Sequence, residues 1–357
     1  MLRPRIMRRI LSLWSRVSRN HAFPTIVGGC VVLFVLYWVV VFEKIKENGG
    51  FKEMNIPVDK DFVPFGVTSM EDFPPGGQYR IPRIIHQTWK TDEVPVRFEK
   101  WIKTWTKNHP TWEYWLWTDD SARQLIAERH PHLLSVFNNY PQGIRRADAL
   151  RYVVLYEFGG IYADLDLESI KAVDAMHRKY SCFVSQEPYE HPILDSNFEN
   201  LVINAVLGCR AKHPFMKLLM DNLPAFSHMW DVLDSTGPHF VTLHYRKYKS
   251  ENNFSDLHEN GTYLAPAEYF FPTIDPIKHF WMRNQCSKFD KLTAIQQRAC
   301  MNLKVRGVDQ KHLGISFTDH HWIHTYVDFK ITLKGPVDIH KIVPHVKIYR
   351  AGKSNSE

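Results

Sequence analysis

Apolar and polar residues alternate through the stretch GGIYADLDLESI, Gly159 to Ile170. A period of two predicts a β-strand with Ile161, Ala163, Leu165 and Leu167 on one face and Tyr162, Asp164, Asp166 and Glu168 on the other. Immediately before it, in QGIRRADALRYVVLYEFGG, Ala147, Leu150, Val154 and Phe158 keep helical spacing and Gly159 supplies the stop. Further upstream, Ile84 and Ile85 of IPRIIHQTWK predict a short buried strand opening into a loop at His86 to Lys90, followed by a Trp-rich helix near Arg97 to Thr106. TWEYWLWTDD reads as a second strand, with Asp119 or Asp120 as the N-cap of a helix beginning near Ser121. Downstream, NAVLGCRAKHPFMKLLMDNL reads as a loop and a helix whose Phe215, Leu218 and Leu219 face a core, STGPHF as a turn and APAEYFFPT as an irregular apolar segment. Strand and helix alternate, which is the rhythm of an α/β fold.

One stretch breaks that rhythm. Ala22 to Phe42 is an uncharged apolar run, long enough to cross a bilayer as a helix, and no small-x-small cleavage pattern follows it as in a signal peptide. Arg3, Arg5, Arg8, Arg9, Arg16 and Arg19 precede it without an acid, so the positive-inside rule predicts a cytoplasmic tail over 1–21, a signal anchor over 22–42 and everything beyond on the far side. The mixed sequence of 43–80 reads as a stem, 81–334 as the globular domain and 335–357 as a basic tail. The formal charge of +7 then loses its apparent meaning: of 45 Lys and Arg, six lie in the tail, leaving 39 against 38 Asp and Glu. A nearly neutral domain does not indicate a nucleic-acid partner.

The carboxylate row is the first candidate for chemistry. Same-face neighbours in a strand lie roughly 6 to 7 Å apart at Cα, so Asp164 and Asp166 are within reach of one divalent ion; a solvated strand face would explain a bare D-x-D equally well. Asp148 and Arg151, three apart on the preceding helix, form either a salt bridge or part of the same pocket. Near the other end, SFTDHHWIHTY gathers Asp319, His320, His321 and His324, a second candidate source of metal or phosphate contacts. Cys30 falls in the apolar run; Cys182, Cys209, Cys286 and Cys300 allow three pairings, with Cys286 and Cys300 favoured by their closeness in a polar segment. No CxxC or Cys/His spacing suggests zinc. Asn253 and Asn260 open glycosylation sequons in a polar stretch.

Taken in order, IPRIIHQTWK, HPTWEYWLWTDD, RRADALRYVVLYEFGGIYADLDLESI, NAVLGCRAKHPF and TGP resemble glycosyltransferase family thirty-two, the DXD sugar-transferase family that includes the inositol phosphorylceramide mannosyltransferases and the initiating α-1,6-mannosyltransferase. The resemblance runs from about Ile81 to Tyr326 and rests on D-x-x-R, a helix and GG-I-Y-x-D-x-D in that order. It implies a GT-A fold, a mixed and mostly parallel sheet between helices, binding a nucleotide sugar at the carboxyl ends of the strands. Asp164 and Asp166 would be the DXD pair on Mn²⁺ or Mg²⁺, Asp166 as the direct ligand and Asp164 shared between the metal and the donor ribose; Asp148 and Arg151 would contact the donor sugar and diphosphate, and Thr88 and Trp89 would lie near the base. For the last metal ligand the resemblance points to DHHWIHTY, His321 first and His320 second. It further implies retention of configuration, although no nucleophile is evident beyond the position of Glu168. The expected protein is a single-span type II Golgi transferase with its domain in the lumen, moving mannose from GDP-mannose to a glycolipid such as inositol phosphorylceramide or to a glycan. A UDP-sugar-dependent galactosyl- or N-acetylglucosaminyltransferase would use the same carboxylates, and an inactive carbohydrate-binding scaffold is the alternative of another class. A metal-dependent hydrolase would also want clustered carboxylates but has no reason to carry the helix-GG-strand arrangement.

Overall fold

Strand and helix alternate as the pattern predicts in the computed structural model, which describes residues 66–67, 69–196, 200–306, 314–325 and 335–352. The expected cytoplasmic tail, the apolar run 22–42 and most of the stem lie outside the described residues, among which no helix is long and apolar enough to cross a membrane. The strands are β1 (Ile84–Thr88), β2 (Glu93–Pro95), β3 (Glu113–Trp117), β4 (Gly160–Ala163), β5 (Leu167–Ser169), β6 (Cys182–Gln186), β7 (Val202–Cys209), β8 (Tyr263–Ala265), β9 (Thr318–His320) and β10 (Pro336–Asp338). Six of them form the main sheet in the order β3-β1-β4-β7-β6-β8. Its neighbours pair in parallel except at β7, which runs antiparallel to both β4 and β6. The sheet is therefore mixed and mostly parallel, and apolar residues cover both faces: Ile85, Leu116 and Ile161 on one, Trp117, Tyr162 and Leu207 on the other.

The helix Gly143–Phe158 feeds directly into β4 through Gly159 and Gly160. Both glycines have positive φ, +65° and +103°, and a Cβ on Gly160 would stand 2.5 Å from the Ile84 carbonyl oxygen. His86 pins the same junction: its Nε2–H donates to the Gly159 carbonyl at 2.8 Å, while its Nδ1 accepts from the Trp117 indole at 3.0 Å. Burial holds this imidazole neutral, lowering its pKa to about 4. Gly160→Ala combines an unfavourable φ with backbone overlap, so a loss of ~2 to 3 kcal/mol is expected. Thermal melting followed by circular dichroism checks this; an unchanged midpoint would show that the junction relaxes freely.

Five expectations change. The alternating stretch is not one strand: β4 ends at Ala163, the chain turns through Asp164–Asp166 with the Leu167 amide donating to the Asp164 carbonyl at 3.1 Å, and β5 then pairs with β9 instead of the main sheet. The alternation persists because Ile161 and Tyr162 of the fully buried β4 enter opposite halves of the core, Asp164 and Asp166 fall in the turn, and β5 buries Leu167 while leaving Glu168 part-exposed. NAVLGC, expected as a loop, is the buried core of β7. The N-cap of the Asp119–Arg129 helix is Thr118, in a reciprocal capping pair with Ser121, and neither aspartate fills that position. Residues 335–352 are no free tail: β10 pairs with β2, Ile339 and Ile342 are buried, and Lys347 exchanges backbone hydrogen bonds with Tyr114 and Leu116, covering the edge of β3. The apolar positions hidden among its lysines account for this. His86 to Thr88, placed in a loop by the sequence pattern, likewise continue β1.

Disulfides join Cys286 to Cys300, the favoured pair, and Cys182 to Cys209, which stand directly opposite each other on β6 and β7.

Candidate active site

The carboxyl ends of β1, β3 and β4 lie on one edge of the sheet, and the turn after β4 carries the two aspartates there. Backbone bonds fix that turn. The Asp164 amide donates to the Ala205 carbonyl at 2.9 Å, and the Asp164 carbonyl accepts from the Gln87 side-chain amide at 3.1 Å. Tyr114 in turn donates to Gln87. The Asp164 side chain accepts from the Tyr162 hydroxyl at 2.8 Å and lies 3.5 Å from Arg151.

Asp148 and Arg151 face the same turn from the helix. They are bonded to each other at 2.8 Å, with side chains only 4% and 2% exposed. Every Asp148 oxygen is engaged, Oδ1 by the Asn204 amide at 3.0 Å as well as by Arg151, and Oδ2 by the Thr236 hydroxyl at 2.9 Å. Burial pushes its carboxyl up to about 6 despite Arg151 and these donors. Arg151 also donates to the Asn204 carbonyl and stands over the Tyr162 ring, 4.5 Å from its centroid. Burial disfavours its charge, but Asp164, Tyr162 and Asp148 outweigh that and keep the guanidinium ionised.

The second arm of the site comes from β9 and the residues after it. Asp166 accepts from the Ile323 amide at 2.8 Å through Oδ2, its carbonyl accepts from the His321 amide at 2.9 Å, and its Oδ1 lies 3.3 Å from His320 Nε2. Although burial opposes ionisation of Asp166, His320 and the Ile323 amide prevail and bring its pKa to about 2. Burial raises Asp164 instead, against the pull of Arg151. Asp164, Asp166 and His320 offer three ligand atoms that all lie within 4.8 Å of one another. Two carboxylates and an imidazole are a donor set suited to Mn²⁺ or Mg²⁺ chemistry, carboxylate oxygen being the harder and commoner partner of the latter. Around them, Arg151 Nε, His320 Nδ1 and Trp322 Nε1 are buried without a hydrogen-bond partner among the described residues. Arg151 touches Asp164 and the Trp322 ring packs edge-on against His320, so these orphaned polar atoms belong to residues that adjoin the cluster.

Position separates the two histidines. His320, second choice from the sequence, meets the aspartates because it pairs with Leu167 in the β5–β9 ladder. His321 stacks on Trp101 with ring centroids 4.3 Å apart and bonds Glu168 at 2.9 Å. His324 bonds Asp275 at 2.7 Å. Thr88 and Trp89 lie at the carboxyl end of β1; the Thr88 hydroxyl and the Trp89 amide both donate to the Trp117 carbonyl, and the Trp89 ring packs edge-on against Phe98. Asn204, Thr236, Tyr162 and Gln87 belong to the site and were not singled out from sequence. NAVLGC and TGP contained the signal for the first two, but only pairing across β7 shows what they hold.

Residues 95–183 match the family described as a glycosyltransferase sugar-binding region containing the DXD motif. This stretch is similar to a glycosyltransferase DXD region. Asp148, Arg151, Asp164 and Asp166 all lie inside the matched stretch, whereas His320 lies outside it. The chain is 39% identical over 171 residues to inositol phosphoceramide mannosyltransferase 3 of Schizosaccharomyces pombe, covering 46% of this chain and 44% of the relative. It is 34% identical over 205 residues to mannosyl phosphorylinositol ceramide synthase SUR1 of Saccharomyces cerevisiae, covering 56% and 50%. With the initiation-specific alpha-1,6-mannosyltransferase of the same yeast it shares 34% identity over 111 residues, 29% of this chain and 23% of the relative. The chain thus spans about half the length, or less, of these relatives. Among solved structures it is similar to PaToxG glycosyltransferase, with a TM-score of 0.38, 16% identity and coverage of 67% of this chain and 89% of that one.

Proposed function

We propose that the chain is a GT-A glycosyltransferase, metal-dependent and retaining, that transfers mannose from GDP-mannose to an inositol phosphorylceramide-like glycolipid or to a glycan. The observation that carries this reading is the meeting of Asp164, Asp166 and His320 beside the buried Asp148–Arg151 pair, in a DXD region whose relatives are named mannosyltransferases. Asp164, Asp166 and His320 hold the divalent ion. When bound, that ion stabilises the charge that develops on a nucleoside diphosphate as the glycosidic bond breaks. The residues of the chain supply the rest. The Ile323 amide and His320 keep Asp166 ionised and aimed, and Arg151 keeps Asp164 in place while lending positive potential to the pocket. Asp148, with its oxygens taken by Arg151, Asn204 and Thr236, fixes Arg151 and so acts as a positioning residue. Anchoring by residues 22–42 with the domain in the Golgi lumen completes the proposal; two disulfides suit an oxidising compartment.

Donor binding and hydrolysis by the full chain in detergent, across GDP- and UDP-sugars with and without Mn²⁺, test this reading. Metal-dependent selectivity for GDP-mannose supports it; preference for a UDP-sugar removes the donor assignment, and binding of no donor by folded protein favours the scaffold. The same assay separates the histidines. His320→Ala should weaken Mn²⁺ binding in the presence of GDP by roughly 10- to 100-fold, as loss of a metal-site partner does, whereas His321→Ala should leave it within a factor of about two. Calorimetry reads both, and the opposite order would return the ligand role to His321.

A further inference from the structure

The helix Pro276–Cys286 turns three large apolar side chains outward. Ile277, Phe280 and Trp281 are 48%, 40% and 62% exposed, and their spacing of three and four places them on one helix face. The other face is buried through His279, Met282 and Cys286. This outward stripe is held rigidly: Asp275 caps the helix by accepting from the Ile277 amide at 2.8 Å, the Cys286–Cys300 disulfide ties its end to the helix Ala294–Arg306, and Lys278 is anchored to Glu187 at 3.0 Å and Asp195 at 3.4 Å. Ile295 adds another exposed apolar side chain on the second helix. Stable burial on one side and large exposed apolar groups on the other indicate a face that meets something.

Charge selects what. Residues 276–306 contain Lys278, Arg283, Lys288, Lys291, Arg298, Lys304 and Arg306 against the single acid Asp290. Setting aside Lys278 and Arg306, whose charges are met by Glu187, Asp195 and Glu190, five basic residues still face one acid. Beyond residue 21 the rest of the chain carries 32 Lys and Arg against 37 Asp and Glu, so the formal basic surplus is concentrated in this segment. Lys288 and Lys291 are exposed and have no ion pair among the described residues. Beside the stripe, a cleft of about 360 Å³ is lined by Leu194, Trp281, Met282 and Lys288, and also by Asp195, whose carboxylate is paired with Lys278. We infer that the Pro276–Cys286 helix and the Lys288–Lys291 turn form a docking face for a negatively charged lipid surface, with Ile277, Phe280 and Trp281 entering the headgroup boundary and the lysines meeting lipid phosphates. Aromatic side chains favour that boundary, and each basic residue near an anionic surface contributes attraction that zwitterionic lipid does not supply. The inference shares with the proposed function only the nearness of a membrane; it does not depend on sugar transfer.

The test uses the full chain reconstituted in phosphatidylcholine vesicles with and without phosphatidylserine, using lipids that carry a photoreactive group in the acyl chain, followed by peptide mass spectrometry. Adducts on the peptide containing Phe280 and Trp281 are expected, stronger with phosphatidylserine. Lys288→Gln/Lys291→Gln should reduce them by about tenfold or more, each lysine being worth about fivefold in partition. Phe280→Ser/Trp281→Ser should abolish them, with an unchanged melting profile showing that the fold is intact. Adducts confined to the 22–42 peptide would support the span and overturn the docking face; protein crosslinks between copies through 276–291, without lipid adducts there, would overturn it in favour of self-association. Absence of adducts on 22–42 would instead count against the proposed anchor and leave the reading of 276–291 to its own peptide.

Discussion

Asp166→Asn is expected to reduce metal-dependent donor turnover by on the order of 10³-fold while leaving the fold intact. The substitution keeps the side chain's size and removes its charge. An asparagine oxygen can still accept from the Ile323 amide, so the residues after β9 remain docked; what disappears is the anion that His320 faces and that a divalent ion needs. The measurement is kcat/KM for donor hydrolysis over a Mn²⁺ titration, beside calorimetric binding of GDP with Mn²⁺ and a thermal melt. Loss of metal dependence with an unchanged melt is the expected pattern. Turnover within about tenfold of the parent at saturating Mn²⁺ would remove Asp166 from the metal site, since a lost charge-stabilising group commonly costs 10²- to 10³-fold.

Arg151→Ala should act on stability first. The guanidinium is buried between Asp148 and Asp164, and removing it leaves Asp148 a carboxylate with no cationic partner. Breaking a buried pair from one side costs about 3 to 5 kcal/mol, because the surviving charge stays out of water. For a domain of this size that corresponds to a fall of roughly 10 °C in melting temperature. Combining it with Asp148→Asn should recover part of the loss, since the orphaned charge goes too, and the shortfall from additivity measures their coupling. A single variant that melts within about 2 °C of the parent would show that Asp148 finds water or simply takes up a proton at little cost.

Much of the fold was legible because it rests on local pattern. The apolar pair of β1, the aromatic run of β3, the alternation around β4, the helical spacing of Ala147 to Phe158 and the stop at Gly159 are each set by residues close in sequence. Asp148, Arg151, Asp164 and Asp166 were legible for the same reason: one helix, one glycine pair and one strand end carry all four. What was not legible depends on distant partners. No period distinguishes a strand that continues from two strands joined by a turn, so the break at Asp164 appears only when β5 is seen against β9. The choice between His320 and His321 is a question of register in that ladder, where a shift of one residue exchanges the faces. Asn204 and Thr236 became site residues through Asp148, which accepts from one on β7 and the other before the helix Pro238–Glu251. The segment after 335 looked like a tail because its lysines are conspicuous and its few apolar residues are not; pairing with β2 and β3 made them count.

The bond between Asp166 and the Ile323 amide joins positions 157 residues apart. At about 5 to 20 residues per second, a ribosome needs roughly 8 to 30 s to travel from one to the other. Throughout that interval the acidic turn exists without the histidine and the amide that hold it, while the helix and glycine pair beside it are already made. The complete geometry of the proposed donor site therefore arrives late in the synthesis of each molecule, and a nascent chain halted before residue 320 would carry the recognisable motif without the residues that brace it.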